Sequence, residues 1–258
     1  MTAEYLTADA LLLPGLRHGF FTRRGGVSTG PFGALNCSLN GRDEDAAVRE
    51  NRRRAAAALG VPAGALHGLH QVHGTAVAVL EEPWPEAARP RADAVVTRRR
   101  GLAIGVVTAD CGPVLFADAA AGVAGAAHAG WRGALAGVLE ETVAAMERLG
   151  ARRDRIAAVL GPCIRQPSYE VGPDLRDAVL ARAAADARHF APGRREDRWQ
   201  FDLAGYCAAR LAALGLGTVA VLPHDTLAEP DRFFSYRAAT LAGGGPVGHQ
   251  LSAIALAT

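Results

Sequence analysis

The stretch LAIGVVTADCGPVLFADAAAGVAGAAHAGWRG, residues 102–133, decides the fold. Between Leu102 and Ala127 only Asp110 and Asp118 carry charge. Three runs, 102–108, 113–117 and 122–127, are apolar without the alternation of a half-exposed strand, so they read as central strands buried on both faces. The breaks carry the chemistry. Cys111 precedes Gly112-Pro113, where the backbone turns sharply, and His128 follows 17 positions later, at the end of the next strand. A hairpin-like return between the two strands brings both side chains to one rim.

Outward from this stretch, further strands are expected at 75–80 and 92–97, with another near residues 18–22. Residues 43–60 change to a helical pattern, acidic at the start, with Ala47, Val48, Ala55 and Leu59 as a broken apolar face and Gly60 as a C-cap. A helix over 132–149 carries Leu135, Val138, Leu139, Thr142, Val143 and Met146 on one side. A strand at 156–161, helices at 173–188 and 202–214, and strands at 218–222 and 250–257 complete the chain. Segments 190–200 and 242–248 read as exposed loops, and the glycine-rich segment 18–42 as a long loop of the kind that lines sites. Strands and helices in this mixture, without a linker or internal repeat, predict an α+β (layered α/β) fold in one domain spanning residues 1–258.

Composition narrows the function. The 258 residues are half hydrophobic, and 28 basic against 26 acidic residues leave a formal net charge of +2. No strong field points to nucleic acid or a membrane surface. Cys37, Cys111, Cys163 and Cys207 are dispersed with no CxxC pair, which favours reduced thiols over a disulfide framework. The N-terminus has no basic, apolar leader pattern, and no run reaches the length of a membrane helix, so a soluble cytoplasmic protein is expected. The oligomeric state is open, with a monomer as the expectation.

HQVHG at 70–74 adds a second imidazole, His73, to Cys111 and His128. Two imidazoles and a thiolate are a donor set that leaves zinc one open position for water or substrate. His67, His70 and His73 recur every three residues, which fits neither a strand face nor an i, i+4 helix pair, so only one of them is expected to ligate. Taken singly, a buried cysteine is usually a small hydrophobe and a histidine beside glycine a loop residue. The spacing is not a compact metal signature.

The segments HGFFTRRGGVS with the later ALN (18–36), QVHG (71–74), ADAVVT (92–97), TADCGPVLFAD (108–118), HAGWRG (128–133), GPCI (161–164), YEVG (169–172), FDL (201–203) and FFSYR (233–237) occur in order along the whole chain. In these the sequence resembles the bacterial laccase-domain family, once labelled multicopper polyphenol oxidases and regarded as purine nucleoside phosphorylases with adenosine deaminase activity. The resemblance implies one zinc per chain on His73, Cys111 and His128. It also implies a four-layer α/β/β/α sandwich, similar to the cysteine–histidine catalytic domain of a deamidating toxin. The implied reactions are phosphorolysis of adenosine, inosine and methylthioadenosine, and hydrolysis of adenosine to inosine. Two positions depart from the family pattern: Ala238 and His249 stand where arginines are usual.

Deamination needs a carboxylate to move protons, and Asp110 is the nearest in sequence to Cys111. Phosphorolysis needs cations for phosphate, and Arg132 at a helix start is the leading candidate, followed by Arg23 and Arg237. Asn36 and Gln71 are candidates for hydrogen bonds to ribose or base.

Three other readings compete. A copper phenol oxidase needs about ten histidines, many in HxH pairs; the chain has 8 histidines and no HxH, so copper would be adventitious. A metal-free Cys111–His128 pair fits an amide hydrolase or deamidase, or a hydrolase editing cell-wall precursors, a role linked to this family. A closed structural zinc site would need a fourth ligand such as Cys163.

Overall fold

The computed structural model describes residues 2–258. Its strands are β1 (Tyr5–Leu6), β2 (Leu16–Phe21), β3 (Leu66–His67), β4 (Val77–Leu80), β5 (Ala94–Thr97), β6 (Ala103–Thr108) and β7 (Gly112–Asp118). They continue with β8 (Val123–Ala129), β9 (Ala157–Leu160), β10 (Glu170–Val171), β11 (Phe190–Pro192), β12 (Trp199–Phe201), β13 (Thr218–Val221) and β14 (Gln250–Leu256). The helices are α1 (Asp45–Ala58), α2 (Trp131–Ala136), α3 (Val138–Arg148), α4 (Pro173–Arg182), α5 (Leu203–Ala213) and α6 (Tyr236–Leu241).

The strands form a mixed α/β architecture with a six-stranded sheet ordered β13-β9-β7-β8-β5-β4, a five-stranded sheet ordered β1-β2-β14-β6-β3, and a small sheet β10-β12-β11. The charge-poor stretch supplies β6 to one large sheet and β7 and β8 to the other. Every residue of β7 and β8 is buried, as their unbroken apolar character requires.

Three apolar interfaces hold these pieces together. One face of the six-stranded sheet, with Val96, Val114, Phe116 and Leu160, packs under Leu139, Val143 and Met146 of α3 and Tyr206 and Leu211 of α5. Its other face, with Val95, Leu115, Ala126 and Val159, meets Phe20, Ile104, Val106 and Ile254 of the five-stranded sheet. The far side of that sheet, with Phe21, Leu251, Ala253 and Ala255, is covered by Ala55 and Ala56 of α1 and by Leu59. The alternation of Leu251, Ala253 and Ala255 against Ile254 and Leu256 is the period-two pattern that lets one strand serve both interfaces. Each fully buried large side chain contributes about 1.5–3 kcal/mol.

Several expected elements differ in detail. The helix expected over 132–149 is two helices, because Gly137 adopts a left-handed conformation (φ 111°) that ends α2 and starts α3. The helix expected over 173–188 stops at Arg182, followed by a 3-10 segment, Ala184–His189. Segment 190–200 is not a loop throughout: Phe190 and Phe201 pair across an antiparallel hairpin, their rings stacked at 4.8 Å. Helix α6 was not anticipated; its six residues are too few for a periodic signal. Among the described residues no helix is long and apolar enough to cross a membrane.

Candidate metal centre

Antiparallel pairing sets Pro113 opposite His128, so Cys111 at the mouth of β7 and His128 near the end of β8 meet at one rim. His73 arrives from the loop after β3, and its ring lies 4.7 Å from that of His128, nearly perpendicular at 78°. One ligand atom from each of His73, Cys111 and His128 falls within 4.8 Å of the others. His73 is exposed, Cys111 half-buried and His128 buried, so the cluster opens on one side only.

The residue that organises the cluster is Asp93, fully buried just before β5. Its carboxylate accepts from the backbone N–H groups of Val72 (3.1 Å), His73 (2.9 Å) and Gly74 (2.7 Å). These bonds hold His73 in the left-handed region (φ 60°), which a non-glycine residue rarely adopts unaided. Asp93 also takes a hydrogen bond from His128 Nδ1 at 2.8 Å. An ionised carboxylate only accepts, so Nδ1 carries the proton and Nε2 is left for the cluster.

One small residue beside the cluster is equally specific. Gly130 has an ordinary extended backbone (φ −68°, ψ 162°), yet a Cβ there would lie 2.9 Å from Cys111 Sγ, 3.1 Å from His73 Cδ2 and 3.8 Å from His128 Nε2. Glycine at this position therefore preserves the space between the three donors.

Burial opposes ionisation of the Cys111 thiol, but His128 and His73 outweigh it and bring the thiol below its usual range. Burial likewise opposes protonation of His128, but the Cys111 sulfur and Asp93 raise it. The other buried thiols have no such neighbours, and burial pushes Cys37 and Cys163 up to about 12. A thiol that ionises readily beside two imidazoles is the donor chemistry a zinc ion requires. Cys163 is buried outside the cluster, so no fourth protein ligand closes it among the described residues.

The cluster lines a cavity of about 1190 Å³. Its walls present Phe32, Trp131, Tyr169 and Tyr236, together with the guanidinium-bearing residues Arg42, Arg132, Arg195 and Arg237. Arg132 is exposed and lies over the Trp131 ring at 4.3 Å. Helix α2 behind it has only six residues, so the binding capacity here resides in the side chain rather than in a helix terminus. Arg195 is already clasped by Glu170, and Arg237 donates to the Glu170 carbonyl at 2.9 Å. Thr108 Oγ1 and His249 Nδ1, on residues lining the same cavity, have no hydrogen-bond partner among the described residues.

Four sequence candidates have settled roles. Asp110 lines the cavity at φ 88°, but Thr226 Oγ1 (2.6 Å), Ser235 Oγ (3.0 Å) and the Arg237 backbone N–H (2.6 Å) occupy both carboxylate oxygens. It ties the α6 segment to the strand end. Gln71 also lines the cavity, yet both ends of its amide are bonded to the Val107 backbone at 2.8 Å. Asn36 is fully buried outside the cavity walls, with its amide on Asp43, Ser38 and His249. Arg23 is also outside, donating to the Gly33 and Pro230 carbonyls. The long loop consumes these polar groups to fix its own shape, since an ordered loop must satisfy its buried backbone. Of the three spaced histidines, only His73 joins the cluster.

Asp93, Thr108 and His249 were not identified as site residues from the sequence. For Asp93 a signal existed: it is a lone acid directly before a fully buried apolar strand, where an unpaired charge would be prohibitive.

Fold and site together define a mixed α/β protein with one thiol–imidazole centre at the floor of an open cavity. The chain belongs to the laccase-domain family: residues 17–257 match the family described as multi-copper polyphenol oxidoreductase laccase. A Streptomyces griseus protein named purine nucleoside phosphorylase ORF3 is 45% identical over 243 residues, covering 92% of this chain and 94% of its own. A Deinococcus radiodurans purine nucleoside phosphorylase is 43% identical over 235 residues, 90% of this chain and 86% of its own. The crystal structure of a Neisseria meningitidis protein of the DUF152 family superposes with a TM-score of 0.88 at 37% identity, covering 98% of this chain and 99% of that one.

Proposed function

We propose that this chain is a zinc-dependent purine nucleoside phosphorylase acting on adenosine, inosine and methylthioadenosine, with adenosine deaminase activity in the same cavity. The observation that carries the reading is the convergence of His73, Cys111 and His128 at the floor of a cavity walled by both guanidinium and aromatic groups. The relatives named purine nucleoside phosphorylase support the substrate class.

A zinc ion on the three donors, with one position open, would supply Lewis acidity to a substrate oxygen or a water. The chain's own residues do the rest. Arg132 and Arg42 bind the phosphate dianion, and their charge offsets the charge that moves as a phosphate oxygen bonds to C1′ and the bond to the purine nitrogen breaks. Phe32, Trp131, Tyr169 and Tyr236 exclude water and present apolar faces to a flat base, while Thr108 Oγ1 and His249 Nδ1 offer it hydrogen bonds. Asp93 orients His128, and Arg237 is positioned by its bond to Glu170.

The deciding experiment measures metal content and adenosine turnover, with and without phosphate, for the wild type and Cys111→Ala. One zinc per chain, adenine release that requires phosphate, and loss of both in Cys111→Ala are expected. Inosine formed without phosphate would make deamination the main activity. A wild type free of zinc and inert on nucleosides would overturn the reading.

A second reading has one observation in its favour. Asp93, His128 and Cys111 form a carboxylate–imidazole–thiol series, with the thiol ionising readily, and such a series serves metal-free amide hydrolysis or deamidation, including hydrolysis of cell-wall precursors. It predicts activity that survives chelation and is lost to a thiol alkylating agent. Copper oxidase chemistry has no comparable support, because the described residues offer one three-donor group and not a multinuclear set.

We also infer that the three apolar interfaces stack the molecule as one domain in the order α/β/β/α, as the toxin-like sandwich would have it. The four free cysteines favour a reducing compartment such as the cytoplasm.

A further inference from the structure

A second cavity of about 350 Å³ lies between α1 and the 84–89 loop, and none of its lining residues lines the main cavity. Arg49, Arg52 and Arg53 of α1 face it, with Arg89 and His67 from the other side and Glu86 as its single carboxylate.

The charges here are unequally compensated. Arg53 is clasped by Glu50, and exposed Arg49 lies 3.5 Å from Glu86. Among the described residues neither Arg52 nor Arg89 has a carboxylate within ion-pair distance. Arg52 donates to the carbonyls of Cys37 (3.3 Å) and Leu66 (3.1 Å). Arg89 donates to the carbonyls of Glu86 (2.8 Å) and Leu69 (3.3 Å) and to Asn40 Oδ1 (3.1 Å). All these acceptors are neutral, so the two half-buried guanidiniums are compensated only in part, by the nearby Glu86 carboxylate. His67 is a separate sign, an unpaired polar atom rather than a charge: it is 6% exposed, and its buried Nε2 has no hydrogen-bond partner among the described residues. The half-buried Trp84 ring stands edge-on to His67 at 5.8 Å and adds a flat apolar surface.

We propose that this cleft is a second binding site, separate from the catalytic cavity, for a phosphate-bearing anion held by Arg52, Arg89 and His67. A phosphate group matches paired guanidiniums, and the volume and Trp84 also suit an attached flat ring, as in a mononucleotide.

The test follows amide and indole resonances of the isotopically labelled whole protein during separate titrations with inorganic phosphate and with adenosine 5′-monophosphate to about 10 mM, the range of weak single-anion sites. Signals of Arg52, His67, Gly68, Arg89 and the Trp84 indole should shift on one isotherm, distinct from that of Trp131 and Arg132. Arg89→Gln should weaken that isotherm about tenfold, the scale of one charge-assisted hydrogen bond, and leave the Trp131 isotherm unchanged. Arg49→Ala, an exposed change that spares folding, should weaken it less. Tighter binding of the mononucleotide than of phosphate identifies a ring on Trp84; equal binding identifies the free oxyanion. No shift at these residues with either ligand, or shifts indifferent to both substitutions, would overturn the proposal. The Trp131 and Arg132 signals report the main cavity separately, so neither result bears on the nucleoside reading.

Discussion

Two buried aspartates flank the His73–Cys111–His128 cluster and do opposite things. Asp93 lies 18 residues before Cys111 in the chain yet supports the centre directly, through His128 Nδ1 and three consecutive backbone N–H groups. Asp110 is the neighbour of Cys111 in sequence, yet its carboxylate turns to Thr226, Ser235 and the Arg237 backbone on the rim. Burial works against ionisation of both. At Asp93 the imidazole and backbone donors prevail and the carboxyl sits below its usual value, whereas at Asp110 burial prevails and the carboxyl is raised. Proximity in sequence is thus a poor guide to partnership where the backbone bends sharply between two strands, as it does at Asp110 (φ 88°).

The largest separation between the two should come from Asp93→Ala. It strands three backbone donors and an imidazole in the interior, and is expected to cost about 3–5 kcal/mol of stability together with the bound metal. Urea denaturation and metal analysis would check it. Asp93→Asn is the milder form: it should lower metal affinity about 10–100-fold, read by competition with a chelator. If Asp93→Asn retains wild-type metal affinity, Asp93 does not organise the centre.

Gly130→Ala sharpens the same side of the comparison. The backbone tolerates alanine, but the new methyl meets Cys111 Sγ, so metal affinity should fall at least about tenfold while thermal stability changes by about 1 kcal/mol or less. Equal losses of both would mean that the glycine serves the fold alone.

On the other side, Asp110→Asn should cost about 1–3 kcal/mol through mismatched donors at the rim, and leave metal content intact. Its catalytic signature should be a raised KM for nucleoside, because α6 supplies Tyr236 and Arg237 to the cavity wall. Loss of metal affinity in this variant would erase the distinction between the two aspartates.

The smallest expected effect is a control distant from both. His18 is buried and neutral, its Nε2 accepting from the Ala8 backbone N–H at 2.8 Å. Burial holds its pKa below the ordinary 6.5, so between the two values the unfolded chain binds more protons. Its contribution is therefore complete above pH 6.5 and is lost as pH falls toward the folded value. His18→Gln should flatten that acid limb of the melting temperature, with zinc content unchanged.

Much of this arrangement was legible beforehand. The charge-poor run 102–127 announced buried strands, and the positions of Cys111 and His128 at their ends announced a shared rim. The period of three in His67, His70 and His73 pointed to one participant, and of the three His73 is the one that stands beside Cys111 and His128. Asn36 and Arg23 looked available because a glycine-rich loop carries no periodicity to show which polar groups it spends on itself. The break at Gly137 and the pairing within 190–200 were hidden for a related reason: a single left-handed glycine and a three-residue strand fall below the length over which hydrophobic periodicity can be read.

The amino-acid sequence by itself determined which segments are buried and which side chains can ligate, since both depend on residue type and local spacing. Only the tertiary structure decided that Asp93 rather than Asp110 faces His128, that Arg52 and Arg89 share a cleft whose single carboxylate, Glu86, pairs with Arg49, and that Gly130 keeps the space between the donors. Those facts are set by residues far apart in the chain meeting at fixed distances, and the forces that select among buried polar partners act only once packing has excluded water.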